Sequence, residues 1–242
     1  MTNDWSSYHN FIGLAASYSY AIALLLFGEG LGRLFHVPPN LTRKIIHVGA
    51  GMWVFGILLL FHSWEIGIVP FASFIVVNYL LYRYRIVKAM DTDDSSPGTV
   101  YFAISVTLLF GLLWRPSGPV DNVAIAVAGV MAMTWGDALA ALIGRRFGQH
   151  KYQVGSSVRS WEGSVTMLLV STTVIFLVLL LLPSSLLSPL AVTYSFEKAF
   201  LAAVISGAFA TLAEGVSPHG TDNLSVPLVT ASVIWLLNYF YF

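Results

Sequence analysis

Cysteine does not occur in this sequence of 242 residues, which excludes disulfides, thiolate nucleophiles and Cys-ligated metals. Charge is scarce too. Asp, Glu, Lys and Arg make up 10% of the chain, where soluble domains carry roughly 25%. The signs balance at 12 basic and 12 acidic residues, so no broad basic surface for nucleic acid is expected. Several catalytic motifs are missing: a Gly-x-x-x-x-Gly-Lys-Ser/Thr phosphate loop, a protein-kinase Gly-rich loop with His-Arg-Asp, and a His-Glu-x-x-His zinc helix. Met1–Asn10 has no basic region ahead of the first apolar run and no small-residue cleavage site, so it does not read as a signal or transit peptide. No repeat or low-complexity linker divides the chain, which reads as one domain over 1–242.

What is present is hydrocarbon. Hydrophobic residues reach 57% and the mean hydropathy is +0.76, which predicts an all-α, polytopic membrane protein. A membrane-spanning helix needs about 20 apolar residues. Eight candidate spans satisfy this with soft boundaries: 11–32, 46–62, 65–82, 99–115, 122–144, 163–187, 197–215 and 224–242. The second and third are short and joined by His62–Glu65, and the seventh is only moderately hydrophobic, so seven is the alternative count.

Basic residues set the expected orientation. With the N-terminus outside, the cytoplasmic segments 33–45, 83–98, 145–162 and 216–223 hold Arg33, Arg43, Lys44, Arg83, Arg85, Lys88, Arg145, Arg146, Lys151 and Arg159. The other side holds only Arg115 and Lys198. This bias supports eight spans with both termini on the non-cytoplasmic side. Spans 122–144 and 197–215 are rich in Ala and Gly, which lets helix backbones approach closely. They are expected at the centre, with 163–187 and 224–242 outside them.

Four polar clusters fall on the expected cytoplasmic side. Arg43, Lys44 and His47 share one helical face at spacings of three and four residues, either as a grip on polyphosphate or as an interfacial anchor. Asp137 lies inside an apolar helix that ends in Arg145 and Arg146. Its eight-residue separation from Arg145 is roughly 12 Å at 1.5 Å per residue. An acid at that depth is costly and usually functional, as a metal ligand beneath phosphate-binding arginines, although a helix-packing Asp with a buried partner is the plainer alternative. In Arg159-Ser160-Trp161-Glu162-Gly163-Ser164, Ser160 is a plausible N-cap with Glu162 in the first turn, and the same helix start can bind phosphate through free N–H groups. Glu214 ends a small-residue helix, where an acid opposes the helix dipole and calls for a compensating cation. Asp222-Asn223 then opens the last span, where either residue can cap. His219 reads as a loop residue, and Asp91, Asp93 and Asp94 as a solvated acidic run.

Together, Asp137, Glu214, Asp222 and Asn223 are oxygen ligands suited to Mg²⁺, with Glu162 a further carboxylate. Arg43, Lys44, His47, Arg145, Arg146, Arg159, Ser160, Gly163 and Ser164 supply the expected phosphate contacts. Phosphoryl transfer needs little more than metal, positive charge and an aligned acceptor hydroxyl. An acceptor reached among apolar helices should be a lipid.

The residues also resemble a known family, the CTP-dependent polyprenol and lipid kinases, which include phytol kinase, dolichol kinase and CTP-dependent diacylglycerol kinase. The matching pieces are Arg43-Lys44-x-x-His47, Gly98-Thr99-x-Tyr101, Gly136-Asp137-Ala-x-Ala-Ala-x-x-Gly144-Arg145-x-Phe147-Gly148, Ser160-x-Glu162-Gly163-Ser164, and Glu214 followed by Asp222-Asn223-Leu-x-x-Pro227. The short chain is most similar to the cyanobacterial and plastid phytol kinase branch. The resemblance implies phosphorylation of phytol for tocopherol and related prenyl-lipid synthesis, with CTP, or UTP, as donor. One departure stands out: Arg159 occupies a position where the family usually has Lys. The cytidylyltransferase Gly-His-Gly-Gly tail is absent, which weighs against nucleotidyl transfer.

The sequence therefore predicts an integral membrane kinase of the plasma or thylakoid membrane, with its active site facing the cytoplasm. Asp137 holds Mg²⁺ with Glu214 or Asp222, basic residues hold the triphosphate, and Glu162 or Glu214 orients the acceptor hydroxyl. Farnesol, geranylgeraniol, dolichol and diacylglycerol are alternative acceptors. A small-solute or ion transporter is the competing class, and it predicts polar residues at mid-membrane or on both faces.

Overall fold

The helix through Val123–Phe147 is enclosed by its neighbours from Val123 to Ala140 and emerges at Arg145–Phe147. Its first part, α6 (Val123–Met131), is Val, Ala, Ile, Gly and Met, and every residue is buried. With few bulky side chains, surrounding helices can close in around it. The computed structural model describes residues 2–84, 97–154, 157–218 and 220–241, with side chains from Tyr8 onward. Arg85, Lys88, Asp91, Asp93, Asp94 and His219 lie outside the described residues.

Around this axis run α1 (Thr2–Phe35), α2 (Pro39–Leu60), the short α3 (Trp64–Gly67), α4 (Val69–Tyr84) and α5 (Gly98–Leu113). After a π-helical segment (Ala132–Asp137) and α7 (Ala138–Phe147) come a two-stranded hairpin, α8 (Trp161–Leu181), α9 (Phe196–Val216) and α10 (Asp222–Phe240). Among the described residues seven helical stretches are long and apolar enough to cross a membrane, and Gly98–Leu113 is a shorter apolar helix. Every expected span meets one of these helices, and the chain is a polytopic helical bundle. Leu26, Leu80, Leu112, Leu169 and Leu212 point outward, as lipid-facing side chains should.

Half of α9 is buried, more than of α8 or α10, in keeping with the expected order of centrality. Helices α1 and α2 run antiparallel, as the hydrogen bonds Tyr20 Oη to Gly49 O (2.8 Å) and Trp53 Nε1 to Ser17 Oγ (3.1 Å) show.

Two features depart from the sequence expectation. The axis helix widens into π geometry over Ala132–Asp137, a local insertion often found at functional sites. The segment 145–162, read as a polar loop, contains antiparallel strands β1 (Lys151–Val154) and β2 (Ser157–Ser160), with Lys151 opposite Ser160 and Val154 opposite Ser157.

At the end away from the clusters, the expected turn at Arg115–Asp121 forms, with Gly118 N donating to Arg115 O at 3.0 Å. Asp121 fixes it. Its Oδ1 accepts from Arg115 N (2.8 Å) and Val123 N (3.2 Å), and its Oδ2 accepts from Ser188 Oγ (3.4 Å). Burial raises the Asp121 pKa above its ordinary value, against the opposing pull of those hydrogen bonds.

Candidate functional site

Helix α2 presents one graded face to the interior. Asn40, Arg43, Lys44 and His47 occupy its first turns, and Ala50 and Trp53 continue the same line. Pro39 starts the helix, a position where a missing N–H costs nothing, so the basic cluster lies on α2 rather than in the loop before it. Lys44 Nζ donates to Asp137 Oδ2 at 2.6 Å, and both side chains are buried. His47 Nε2 lies 3.4 Å from Met133 O and 3.8 Å from the same carboxylate oxygen. The π-helical segment thus supplies both the acid and a carbonyl to the α2 face.

A second centre forms around Arg159 at the end of β2. Its guanidinium pairs with Glu214 and approaches Asp222 Oδ2 at 3.4 Å and Ser217 O at 3.2 Å. Burial opposes this charge, but the carboxylates of Glu214 and Asp222 outweigh it and raise the Arg159 pKa above its ordinary value. The cation that Glu214 requires at its helix end is therefore Arg159. The planar fork suits this role, since it can address several acceptors at once.

Asp222 and Asn223 begin α10, but the cap position itself falls on Thr221, with no side-chain cap bond. Neither is the cap expected from sequence. The turn before them needs Gly220 at φ 78°, a left-handed conformation costly for other residues. Asp222 Oδ1 instead accepts from Asn223 N at 2.9 Å, and Asn223 Nδ2 donates to Gly98 O at 2.9 Å. Asn223 Oδ1 is buried without a hydrogen-bond partner.

Two cavities meet at this charged end. The larger, about 700 Å³, is lined at one end by Arg43, Lys44, His47, Asp137, Asp222 and Asn223, and elsewhere by Tyr20, Leu24, Trp53, Phe71, Phe74 and Phe102. The smaller, about 360 Å³, is lined by Gly144, Gly148, Lys151, Ser160, Gly163, Ser164 and Glu214, among others. Arg145 and Arg159 line both. Ser160 caps α8 as expected, accepting from Gly163 N at 3.1 Å. Gly163 allows α8 to lie against α7: a Cβ there would stand 3.1 Å from Ala140 O.

Not every expected residue converges here. Glu162 lines neither cavity and accepts from His150 N (3.2 Å), with His150 Nδ1 2.8 Å away. Arg146 also lines neither and lies over the Phe147 ring at 5.5 Å. In the other direction, Asn40, Asn78 and Thr99 line the large cavity and Lys151 the small one; Thr99 belongs to the Gly98-Thr99-x-Tyr101 match, whereas the sequence gave the other three no site role. Asn78 carried a legible signal, a polar side chain within an apolar span. It donates to Thr99 O at 3.0 Å.

A bundle with this internal division handles an amphiphile: it is a membrane-embedded enzyme whose cavity suits a polar head and an apolar tail. Sequence comparison supplies the particular group. The chain is 36% identical to phytol kinase of Synechocystis sp. over 94% of its own length and 91% of that protein. It is 28% identical to probable phytol kinase 2, chloroplastic, of Oryza sativa, covering 92% of this chain and 74% of that one. Farnesol kinase, chloroplastic, of Arabidopsis thaliana is 27% identical over 61% of this chain and 50% of its own. No family model and no solved structure matches. The chain belongs to the phytol kinase family and is a kinase with an alcohol acceptor.

Proposed function

We propose that this kinase transfers the γ-phosphoryl group of a pyrimidine nucleoside triphosphate, CTP or else UTP, to a prenyl alcohol, with phytol the first choice. The carrying observation is the pair of cavities joined at Arg145 and Arg159. The large one combines a charged end with an apolar body, which suits a lipid alcohol. The small one, with glycines, Lys151 and the α8 N-terminus on its walls, suits phosphates.

In this reading the acceptor hydroxyl lies by Asp137 and Asp222. Asp137 is tightly paired with Lys44, whereas the Asp222 contact to Arg159 is longer, at 3.4 Å. Asp222 therefore takes the hydroxyl proton as the oxygen bonds to the γ-phosphorus. The bond from that phosphorus to the β,γ-bridging oxygen breaks, and the nucleoside diphosphate leaves. Arg145 and Arg159 stabilise the charge developing between the two cavities. Glu214 serves as the counter-ion that holds Arg159, and Glu162 braces the hairpin through His150.

Mg²⁺ fits the donors at the charged end. Asn223 Oδ1 is buried and unpartnered, and Asp137 and Asp222 line the same cavity. No group of three His, Asp or Glu side chains arranged for a metal is found among the described residues. Mg²⁺ keeps several waters and takes one or two carboxylates beside substrate phosphates, so the proposed holders are Asp137, Asp222 and Asn223. When bound with nucleotide it would neutralise charge on the phosphates.

The charge-rich end faces the cytoplasm, on the basic-residue bias, in the plasma or thylakoid membrane. The test uses the full chain in nanodiscs with γ-radiolabelled CTP, UTP or ATP and a panel of lipid alcohols. Labelled phytyl phosphate from CTP or UTP is expected. Label from ATP alone would overturn the donor assignment, and label on another alcohol but not phytol would overturn the acceptor.

A further inference from the structure

The apolar body of the large cavity has its own architecture. Tyr20 of α1 stacks on Trp53 of α2 with ring centroids 4.2 Å apart and planes 15° apart. The polar atoms of this pair are engaged by protein: Tyr20 Oη donates to Gly49 O at 2.8 Å, and Trp53 Nε1 to Ser17 Oγ at 3.1 Å. Ser17 Oγ in turn donates to Gly13 O at 2.8 Å. What remains for a ligand is hydrocarbon surface. Phe74 of α4 and Phe102 of α5 also line the cavity, Phe74 against Tyr18 with ring centroids 5.9 Å apart and Phe102 edge-on to His47 at 5.3 Å. Helix α4 is tied to α1 by Tyr18 Oη and Ser73 Oγ, 3.0 Å apart.

The cavity also has a floor. Among the described residues, α2 lines it no deeper than Trp53, α1 no deeper than Ser17 and α4 no deeper than Phe71. From Lys44 to Trp53 is nine residues, roughly 13 Å along the helix axis. The face changes from cationic to aromatic over that distance, with only Ala50 between His47 and Trp53.

We propose that the isoprenoid chain of the acceptor lies along α2 over Ala50, from Phe102 beside His47 to the Tyr20–Trp53 stack, with Trp53 as the floor that limits chain length. This rests on the prenyl-alcohol reading above and assigns the tail a place. The head stays with Asp137 and Asp222, so the chain-length gauge and the reacting end sit on different turns of one helix face. Substitutions at the gauge should alter which alcohol is used without altering nucleotide affinity.

The test is a chain-length profile of the full protein in nanodiscs for wild type, Ala50→Phe and Trp53→Ala. The acceptors are geraniol, farnesol, phytol and a longer polyprenol. Ala50→Phe fills the channel just beyond His47 and should raise KM about tenfold or more for phytol, and for geraniol too, as small volume changes in apolar pockets discriminate at this scale. Trp53→Ala should raise the longer polyprenol relative to phytol. KM for CTP should stay within about twofold in both. An unchanged KM for phytol in Ala50→Phe, or an unchanged ratio of longer polyprenol to phytol in Trp53→Ala, would overturn the assignment. Photolabelling provides an independent measurement: phytol carrying a diazirine at its tail should mark Trp53 or its neighbours on α2, and labelling confined to other helices would overturn it. This binding readout holds even if the wild type transferred no phosphate to phytol, an outcome that counts against the acceptor reading and leaves the tail site to be decided by the label.

Discussion

Lys44 and Asp137 are 93 positions apart in the chain and 2.6 Å apart in the structure. Their contact joins α2 to the π-helical segment of the axis helix and places a carboxylate where the charged end of the large cavity begins. Removing one partner of a buried ion pair leaves an uncompensated charge and costs about 3–5 kcal/mol. Lys44→Ala should therefore lower thermal stability in detergent markedly, and Lys44→Ala with Asp137→Ala should recover part of that loss. Asp137→Asn, which keeps the shape, should fold and lose about a hundredfold or more in kcat. Wild-type turnover by Asp137→Asn would remove this residue from the reacting centre.

Arg159 distinguishes a fork from a point charge. It reaches Glu214, Asp222 and Ser217 O together, which an ammonium cannot reproduce. Arg159→Ala should reduce kcat by about 10²-fold or more, with Arg159→Lys falling between it and wild type. Glu214→Gln should weaken the hold on Arg159. A double-mutant cycle on this pair, read through kcat/KM, should show coupling beyond additivity.

The carboxylates should separate by function. Asp222→Asn should fall by about 10²–10⁴-fold in kcat, the range for loss of a general base. Glu162→Gln, outside both cavities, should stay within about threefold, because the amide oxygen still accepts from His150 N. The reverse ranking in a steady-state assay would exchange their roles.

Asp121 gives a pH test remote from catalysis. Its folded pKa is raised by burial, so the folded state binds this proton more tightly than the unfolded chain. Its contribution to stability is complete below the unfolded value of about 3.9 and is lost as pH rises through the folded value. Asp121→Asn keeps an oxygen for Arg115 N and Val123 N and lacks this titration. Its melting temperature relative to wild type should rise with pH across that window and be flat below it. Asp121→Ala leaves two backbone N–H groups without their acceptor and should cost about 1–3 kcal/mol.

Much of this was readable in the chain. Long apolar runs announced the helices, and an acid at 137 in such a run announced a buried charge, which the fold pairs with Lys44 at the cavity wall. Ser160 as N-cap with Glu162 in the first turn announced the start of α8. The hairpin also left a trace, because Gly155-Ser156 separates two short runs of alternating character, a two-residue turn signal. The rest was hidden for physical reasons. A π-helical turn has no periodicity of its own in so short a segment. The partners of Asp137 and Glu214 lie on other elements, and nothing local in the sequence selects Lys44 or Arg159 over the other basic residues. Glu162 followed the family pattern into the expected site, but the hairpin brings His150 to it and holds it aside.

The two arginines shared by the cavities carry a consequence for the order of events. On the proposed assignment the phosphoryl group passes directly between compartments that share this wall, so donor and acceptor are expected to be in place together. Initial-rate plots against both substrates should intersect, with no exchange of label between CTP and CDP in the absence of alcohol. On the proposed assignment the phosphorylated product, anionic where its precursor was neutral, leaves against the same guanidiniums, and added phytyl phosphate should inhibit competitively with phytol.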